Sequence, residues 1–137
     1  MKKYLAAIIF FIGDVFLKWL ALKTTPDFFL IPKIFALRLF QNPNLAFNLP
    51  LPQNIIIILS LVIIAGLFVL AYKKSLYRFL IFIIILGAVS NLADRIVHGF
   101  VTDYFYLWPI SYFNLADLFI FAGVLLLAYK SLKNKNL

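Results

Sequence analysis

Three of the five acidic residues of the chain lie close together in its second half, and asparagine accompanies two of them. The tetrapeptide Asn-Leu-Ala-Asp occurs twice, at Asn91–Asp94 and at Asn114–Asp117, and Asp103 lies between the two copies. Two carboxyl groups that lie close together cannot both ionise cheaply, so one keeps a proton while the other stays charged. Such a pair contains an acid and a base, and it can activate water against a peptide carbonyl.

Other catalytic nucleophiles are poorly placed in this sequence. The chain has no cysteine, its serines are scattered, and its one histidine, His98, is not patterned with any serine as a triad. An aspartyl peptidase at a membrane surface is therefore the enzyme hypothesis that uses the observed residues. Two other hypotheses stay open. A small proton-coupled carrier or channel also uses buried Asp and Asn, but it predicts a polar path across the whole bilayer. The third hypothesis is a non-catalytic membrane scaffold.

The composition predicts the elements that must position these side chains. The chain is 65% hydrophobic with a mean hydropathy of +1.03, whereas a soluble domain is about 45–50% apolar. We therefore expect an all-α integral membrane protein that forms one domain over residues 1–137. A spanning helix needs about 20 apolar residues. Four runs meet this need, at about 4–22, 55–72, 79–97 and 111–129.

The lysines and arginines predict how the chain is oriented. Eight of them fall on one side of a four-span arrangement: Lys2, Lys3, Lys73, Lys74, Arg78, Lys130, Lys133 and Lys135. By the positive-inside rule this side is cytoplasmic, so both termini are predicted in the cytoplasm and the Asp cluster toward the outside. On the outer side, a small extracytoplasmic sheet is predicted at about 24–53, and a loop or short helix before the fourth span. Lys23, Lys33 and Arg38 are expected to contact the phosphates of membrane lipids.

The polar residues of the spans are expected to converge. With a helix rise of about 1.5 Å per residue, Asn91 and Asp117 both lie about 10 Å below the outer surface. Asp14 and Lys18 are four residues apart on one face of the first helix. Either they neutralise each other's charge and so lower the free-energy cost of inserting the helix into the membrane, or they support the site. Adjacent residues of a helix point in different directions, so Asp94 and Arg95 need separate partners.

The residues also argue against several partners. One His, no Cys and no Glu argue against a metal site, and no cofactor is expected. The basic residues occur singly or in pairs without an aromatic-basic stripe, so nucleic acid is not an expected partner. Four spans are enough to enclose a site, and a monomer is therefore the expected state.

Four segments of the chain resemble the bacterial lipoprotein signal peptidases, a family of four-span membrane aspartyl proteases. They are Gly13–Lys18, Gln41–Phe47, Gly87–Phe105 and Tyr112–Ile120. The last two, in this order and spacing, are the stronger signal, and the resemblance covers essentially the whole chain. It implies a position in the bacterial cytoplasmic membrane. It also implies cleavage of diacylglyceryl-modified prolipoproteins just before the lipidated Cys, and inhibition by globomycin-type antibiotics.

The resemblance also implies roles for individual residues. Asp103 and Asp117 match the catalytic pair of the family. The residues that match its site-shaping and substrate-binding positions are Asn42, Asn91, Asp94, Arg95 and Asn114, and Asp14 and Lys18 match a pair in the first span. One segment departs from the family pattern, since Asn44 and Leu45 stand where Gly and Ala are usual. This departure bears on inhibitor affinity and lipobox preference.

Overall fold

The computed structural model describes residues 2–44, 49–73 and 75–135. Within these residues the chain forms four α-helices and four β-strands. In chain order they are α1 (Lys2–Thr24), β1 (Asp27–Ile31), β2 (Phe35–Asn42), α2 (Gln53–Lys73), α3 (Arg78–His98), β3 (Val101–Leu107), β4 (Ser111–Phe113) and α4 (Leu115–Lys135). A single 3₁₀ turn, Ser75–Tyr77, joins α2 to α3.

All four helices are long and apolar enough to cross a membrane. Their outward faces carry large apolar side chains that are more than half exposed, such as Val62, Ile63 and Phe121. In water so much exposed apolar surface would drive association, whereas lipid tails cover it without cost. The protein is therefore a multi-pass membrane protein, as the composition predicts.

Helix α3 is the centre of the bundle and packs against the other three helices. Glycines allow its close approach to α4. A Cβ atom at Gly87 would lie 2.6 Å from the carbonyl oxygen of Ala116, and one at Gly123 would lie 2.5 Å from the side chain of Ile84. These distances are shorter than van der Waals contact, so the α3–α4 packing depends on glycine at both positions.

The strands form one antiparallel sheet in the order β1-β2-β3-β4. This sheet corrects two expectations. The segment predicted as a loop or short helix before the fourth span forms β3 and β4, because its aromatic-rich stretches pair with β2 and with each other. The fourth helix begins at Leu115 instead of near 111, since Ser111–Phe113 belongs to the sheet. The fold is thus mostly helical but not all-α.

The ends of α3 and α4 are offset along their axes. Helix α3 is capped by Gly99, whose φ of 79° is left-handed and whose N–H donates to the carbonyl of Arg95, as is common at helix C-termini. Asn91, seven residues before His98, bonds to Asp117 in the first turn of α4. The start of α4 therefore lies about 10 Å below the end of α3. Strands β3 and β4 connect the end of α3 to the start of α4 across this distance.

Candidate active site

Asn114 links the carboxyl groups of Asp103 and Asp117. Asp103 lies on β3, Asp117 in the first turn of α4, and Asn114 between β4 and α4. The Asn114 Nδ2 donates to Asp103 Oδ1 at 2.8 Å, and its backbone N–H donates to Asp117 Oδ2 at 3.2 Å. Its Oδ1 accepts the Asp117 backbone N–H at 2.9 Å, which is the bond of a helix N-cap. One fully buried residue thus caps α4 and holds both acids, Asp103 through its side chain and Asp117 through its backbone N–H.

The remaining carboxylate oxygens are held by two further asparagines. Asn42 of β2 donates through Nδ2 to Asp103 Oδ2 at 3.1 Å. Asn91 of α3 donates through Nδ2 to Asp117 Oδ1 at 2.8 Å, and its Oδ1 accepts from Asn114 Nδ2 at 3.2 Å. Each acid is therefore bonded through both oxygens. The three asparagines come from three different elements, so the arrangement exists only in the folded chain.

The charge of Asp117 and the burial of Asp103 act together on the Asp103 carboxyl. Burial removes water from the charged form, and the neighbouring negative charge of Asp117 repels a second one. The amide donors Asn42 and Asn114 and the more distant charge of Lys18 oppose these effects only partly. The balance raises the pKa of Asp103 to about 7. At neutral pH this carboxyl can therefore carry a proton.

Asp14 and Lys18 join a buried network beneath the two acids. Lys18 Nζ donates to Ser90 Oγ and to Asn91 Oδ1, both at 2.9 Å. It also lies 3.3 Å from Asp14 Oδ2 and 3.4 Å from Asp94 Oδ2. Lys18 is thus bound to the asparagine that holds Asp117. Of the two interpretations of the Asp14–Lys18 pair, the contacts favour support of the site, although the pair also neutralises itself.

Asp14 and Tyr104 connect α1 to the start of α4. The Tyr104 hydroxyl donates to Asp14 Oδ1 at 2.8 Å and accepts the Leu115 backbone N–H at 3.1 Å. The Ala116 N–H also donates to Asp14 Oδ1, at 3.2 Å. These are N–H groups that have no partner within the helix. Burial and the charge of Asp14 raise the pKa of Tyr104 far above its usual range, so its hydroxyl keeps the proton that it donates.

Asp94 and Arg95 point to different partners, as their adjacency predicts. Asp94 Oδ2 accepts the Thr102 backbone N–H at 2.8 Å, and its Oδ1 lies 3.6 Å from His98 Nδ1. Asp94 therefore ties the start of β3 to α3. Thr102 is the neighbour of Asp103, so this bond also limits where that acid can lie.

Arg95 joins α3 to the segment that follows β2. Its guanidinium donates to the carbonyl oxygens of Asn91, at 3.4 Å, and of Asn44, at 3.2 Å. Its Nε is buried and has no hydrogen-bond partner within the described residues. Asn44, one of the two departures from the family pattern, is thus held beside the site, and its backbone N–H donates to Asn42 Oδ1. Leu45, the other departure, lies outside the described residues.

The structure brings together every side chain that the sequence selected for the site, and it adds two others: Ser90 and Tyr104. Their types are common in apolar and aromatic segments, and their partners are distant in the sequence. No local pattern could have distinguished them. Within the described ranges, no three His, Cys, Asp or Glu side chains gather as they would around a metal ion. The arrangement suits acid–base chemistry by two carboxyl groups.

Comparison with known proteins identifies a family and several relatives. A family model described as signal peptidase (SPase) II matches residues 6–133. The lipoprotein signal peptidase of Caldicellulosiruptor bescii is 41% identical over 107 residues, which cover 76% of this chain and 71% of that protein. The lipoprotein signal peptidase of Chlorobaculum parvum is 32% identical over 149 residues, which cover 92% of each chain.

A solved structure described as a bacterial membrane enzyme has a similar fold. Its TM-score is 0.89, and the match covers 98% of this chain and 89% of that one. At 24% identity this likeness concerns the fold alone. The family match extends over nearly the whole sequence, and relatives above 30% identity accompany it. This chain belongs to the signal peptidase II family.

Proposed function

We propose that this protein removes signal peptides from prolipoproteins as an aspartic-type endopeptidase, with Asp103 and Asp117 as its catalytic pair. The family membership supports the substrate class. The observation that carries the chemistry is the linkage of both carboxyl groups through Asn114. A packing contact between helices would not require two acids to be held through all four oxygens.

In this mechanism Asp117 is the base and Asp103 the acid. Asp117 takes a proton from a water molecule, and the water oxygen attacks the carbonyl carbon of the scissile peptide. Asp103, which carries a proton below its pKa of about 7, gives that proton to the carbonyl oxygen. The tetrahedral intermediate, a gem-diol, then collapses: the proton held by Asp117 passes to the departing amine, and one hydroxyl of the gem-diol returns its proton to Asp103 as the C–N bond breaks. No covalent intermediate with the enzyme is formed.

The surroundings of the pair suit a substrate that arrives through lipid. The outward faces of the helices are apolar, so a diacylglyceryl chain can approach laterally while its peptide reaches the pair. We infer that the scissile bond precedes the lipidated Cys. The guanidinium of Arg95, which donates to the carbonyl oxygens of Asn44 and Asn91, would hold this part of the site against the substrate. The enzyme would act as a monomer in the bacterial cytoplasmic membrane, with its site toward the extracytoplasmic side.

A carrier or channel fits the described residues less well. The buried polar side chains gather around the outer ends of α3 and α4 and the facing part of α1. Among the described residues, the inner halves of α2, α3 and α4 contain no buried polar or charged residue. A transport path would need polar groups there as well.

Conservative substitutions test the proposed pair. We expect Asp103→Asn and Asp117→Asn to cleave a diacylglyceryl prolipoprotein at least about a hundredfold more slowly than the wild type, because each removes one half of the acid–base pair. Asp27→Asn is the matched control, since its carboxyl lies exposed on β1 and pairs only with Arg38. Cleavage is followed by gel shift of the precursor, and thermal unfolding shows whether each variant folds. A folded variant of either acid with the wild-type rate would contradict the proposal.

A further inference from the structure

A surface cavity lies at the end of the sheet that is remote from the two acids. The turns 32–34 and 108–110 meet there, and the Trp108 backbone N–H donates to the Ile34 carbonyl at 2.9 Å. The cavity has a volume of about 400 Å³ and is lined by Phe29, Lys33, Arg38, Tyr106 and Trp108. Its size is within the range of small-ligand sites. None of these five residues contributes to the candidate active site.

The cavity combines two cations with aromatic walls. The Arg38 guanidinium lies between the rings of Phe29 and Tyr106, 5.6 and 5.5 Å from their centroids. Its Nε is bound to Asp27 at 2.6 Å, so the charges of this pair cancel. Lys33 has no ion pair among the residues that the structure describes. The cavity therefore has a net positive charge, and it is complementary to an anion.

The strand geometry turns this cavity toward the membrane. Tyr104 and Tyr106 are two residues apart on β3 and share a face of the sheet. The register shift of this pairing lies in β2, which leaves the alternation of β3 intact. Tyr104 reaches into the helix bundle to Asp14. The cavity around Tyr106 thus opens on the face of the sheet that is directed toward the bundle and the surrounding lipid.

The rim of the cavity is apolar and exposed. Trp108 is 61% exposed, Ile110 74% and Ile34 51%. Tryptophan is enriched where headgroups meet acyl chains, and cations beside it contact lipid phosphates. We propose that this cavity binds the phosphate of an anionic glycerophospholipid in the outer leaflet, with Lys33 as the cationic contact and Trp108 and Ile110 against the glycerol and upper acyl carbons. The proposal does not depend on the peptidase activity.

The single tryptophan at the rim provides a direct readout. The chain has two Trp residues, and Trp19 lies exposed on α1, so Trp19→Phe leaves Trp108 as the only tryptophan reporter. The full chain in detergent is titrated with short-chain phosphatidylglycerol, phosphatidylcholine or inorganic phosphate while Trp108 fluorescence is recorded. We expect saturable binding of phosphatidylglycerol only. Lys33→Gln should weaken it about fivefold, the effect of one cation near a lipid surface.

The control is Lys23→Gln, which removes the same charge from the exposed end of α1 outside the cavity. It should bind phosphatidylglycerol as the parent protein does, and Lys33→Arg should restore the affinity that Lys33→Gln loses. Equal affinity of Lys33→Gln and the parent would overturn the proposal. So would equal binding of phosphatidylcholine, or a saturable response to inorganic phosphate alone. Cleavage by all these variants should be unchanged in detergent, so failure here leaves the proposed function standing.

Discussion

At the scale of single residues, Asn114 has two separable tasks. Its Oδ1 caps α4 by accepting the Asp117 N–H, and its Nδ2 donates to Asp103. The first task concerns the stability of a helix end, which a shorter acceptor side chain can also provide. The second concerns the distance between the two acids, and it needs an amide of this length. Substitutions of different length can therefore distinguish positioning from folding.

We expect Asn114→Ser and Asn114→Ala to lose similar activity but to differ in stability. Neither side chain can reach Asp103, and misplacement of a catalytic group by about 1 Å lowers kcat about a hundredfold. Serine still caps α4, so the alanine variant should be less stable by about 1 kcal/mol. Cleavage rates and thermal unfolding of the purified variants measure the two effects. If activity followed stability across the pair, the positioning role of Asn114 would be wrong.

The protonation of Asp103 predicts the alkaline limb of the pH profile. Its pKa is raised to about 7 by burial and by the charge of Asp117, so the proton is present below this pH and is lost above it. We expect kcat/KM to fall about tenfold per pH unit above neutral, because the acid is then ionised. Rates on a lipidated precursor are measured across the range, with unfolding followed in parallel. A level rate well above neutral pH in folded protein would rule out Asp103 as the acid.

Sequence reasoning selects the acids and amides of the site because their cost in an apolar segment makes them conspicuous. Ser90 and Tyr104 are not selected, because their side chains are not costly in these segments. A serine in a helix can bond to its own backbone, and a tyrosine near an interface needs no further explanation. Their contacts with Asp14 join residues 76 and 90 positions apart. Only the folded chain brings these groups together.

At the scale of elements, the start of α4 is where the sequence pattern misleads. Tyr112 and Phe113 are apolar and lie at the start of the fourth run, so hydropathy alone assigns them to the span. In the structure they pair with Tyr106 and Phe105 of β3. The competition between strand and helix is decided by these cross-strand aromatic pairs, which are non-local contacts. The boundary matters because it places Asn114 at the N-cap and Asp117 in the first turn.

The close approach of α3 and α4 predicts opposite responses of two glycines. A Cβ at Gly87 would meet the Ala116 carbonyl at 2.6 Å, whereas one at Gly66 of α2 would have nothing within 4 Å. We expect Gly87→Ala to cost about 1–3 kcal/mol through overpacking and to lower activity, because it displaces the residue before Asp117. Gly66→Ala adds a methyl group in open space within α2, so it should raise stability by about 0.4–1 kcal/mol and leave activity unchanged. Thermal unfolding in one detergent and cleavage rates test this, and equal behaviour of the two variants would contradict the packing argument.

At the scale of the whole molecule, charge and apolar surface together determine how the protein lies in the membrane. The short 3₁₀ turn between α2 and α3 and the end of α4 are flanked by lysine and arginine, and the sheet lies at the opposite ends of the helices. Translocating the basic side would be costly. The sheet, which carries Asp103, is therefore expected outside the cell membrane, where exported precursors are found.

The absence of cysteine from the sequence makes this orientation testable with single introduced thiols. We expect Asn54→Cys, exposed at the start of α2, to react with a membrane-impermeant maleimide in intact spheroplasts. Leu76→Cys and Lys133→Cys, exposed at the opposite ends of the helices, should react only after the membrane is permeabilised, because the basic residues around them hold this side in the cytoplasm. Activity of each variant confirms that it is folded. Labelling of Leu76→Cys before permeabilisation would place Asp103 and Asp117 on the cytoplasmic side, where they could not act on a translocated precursor.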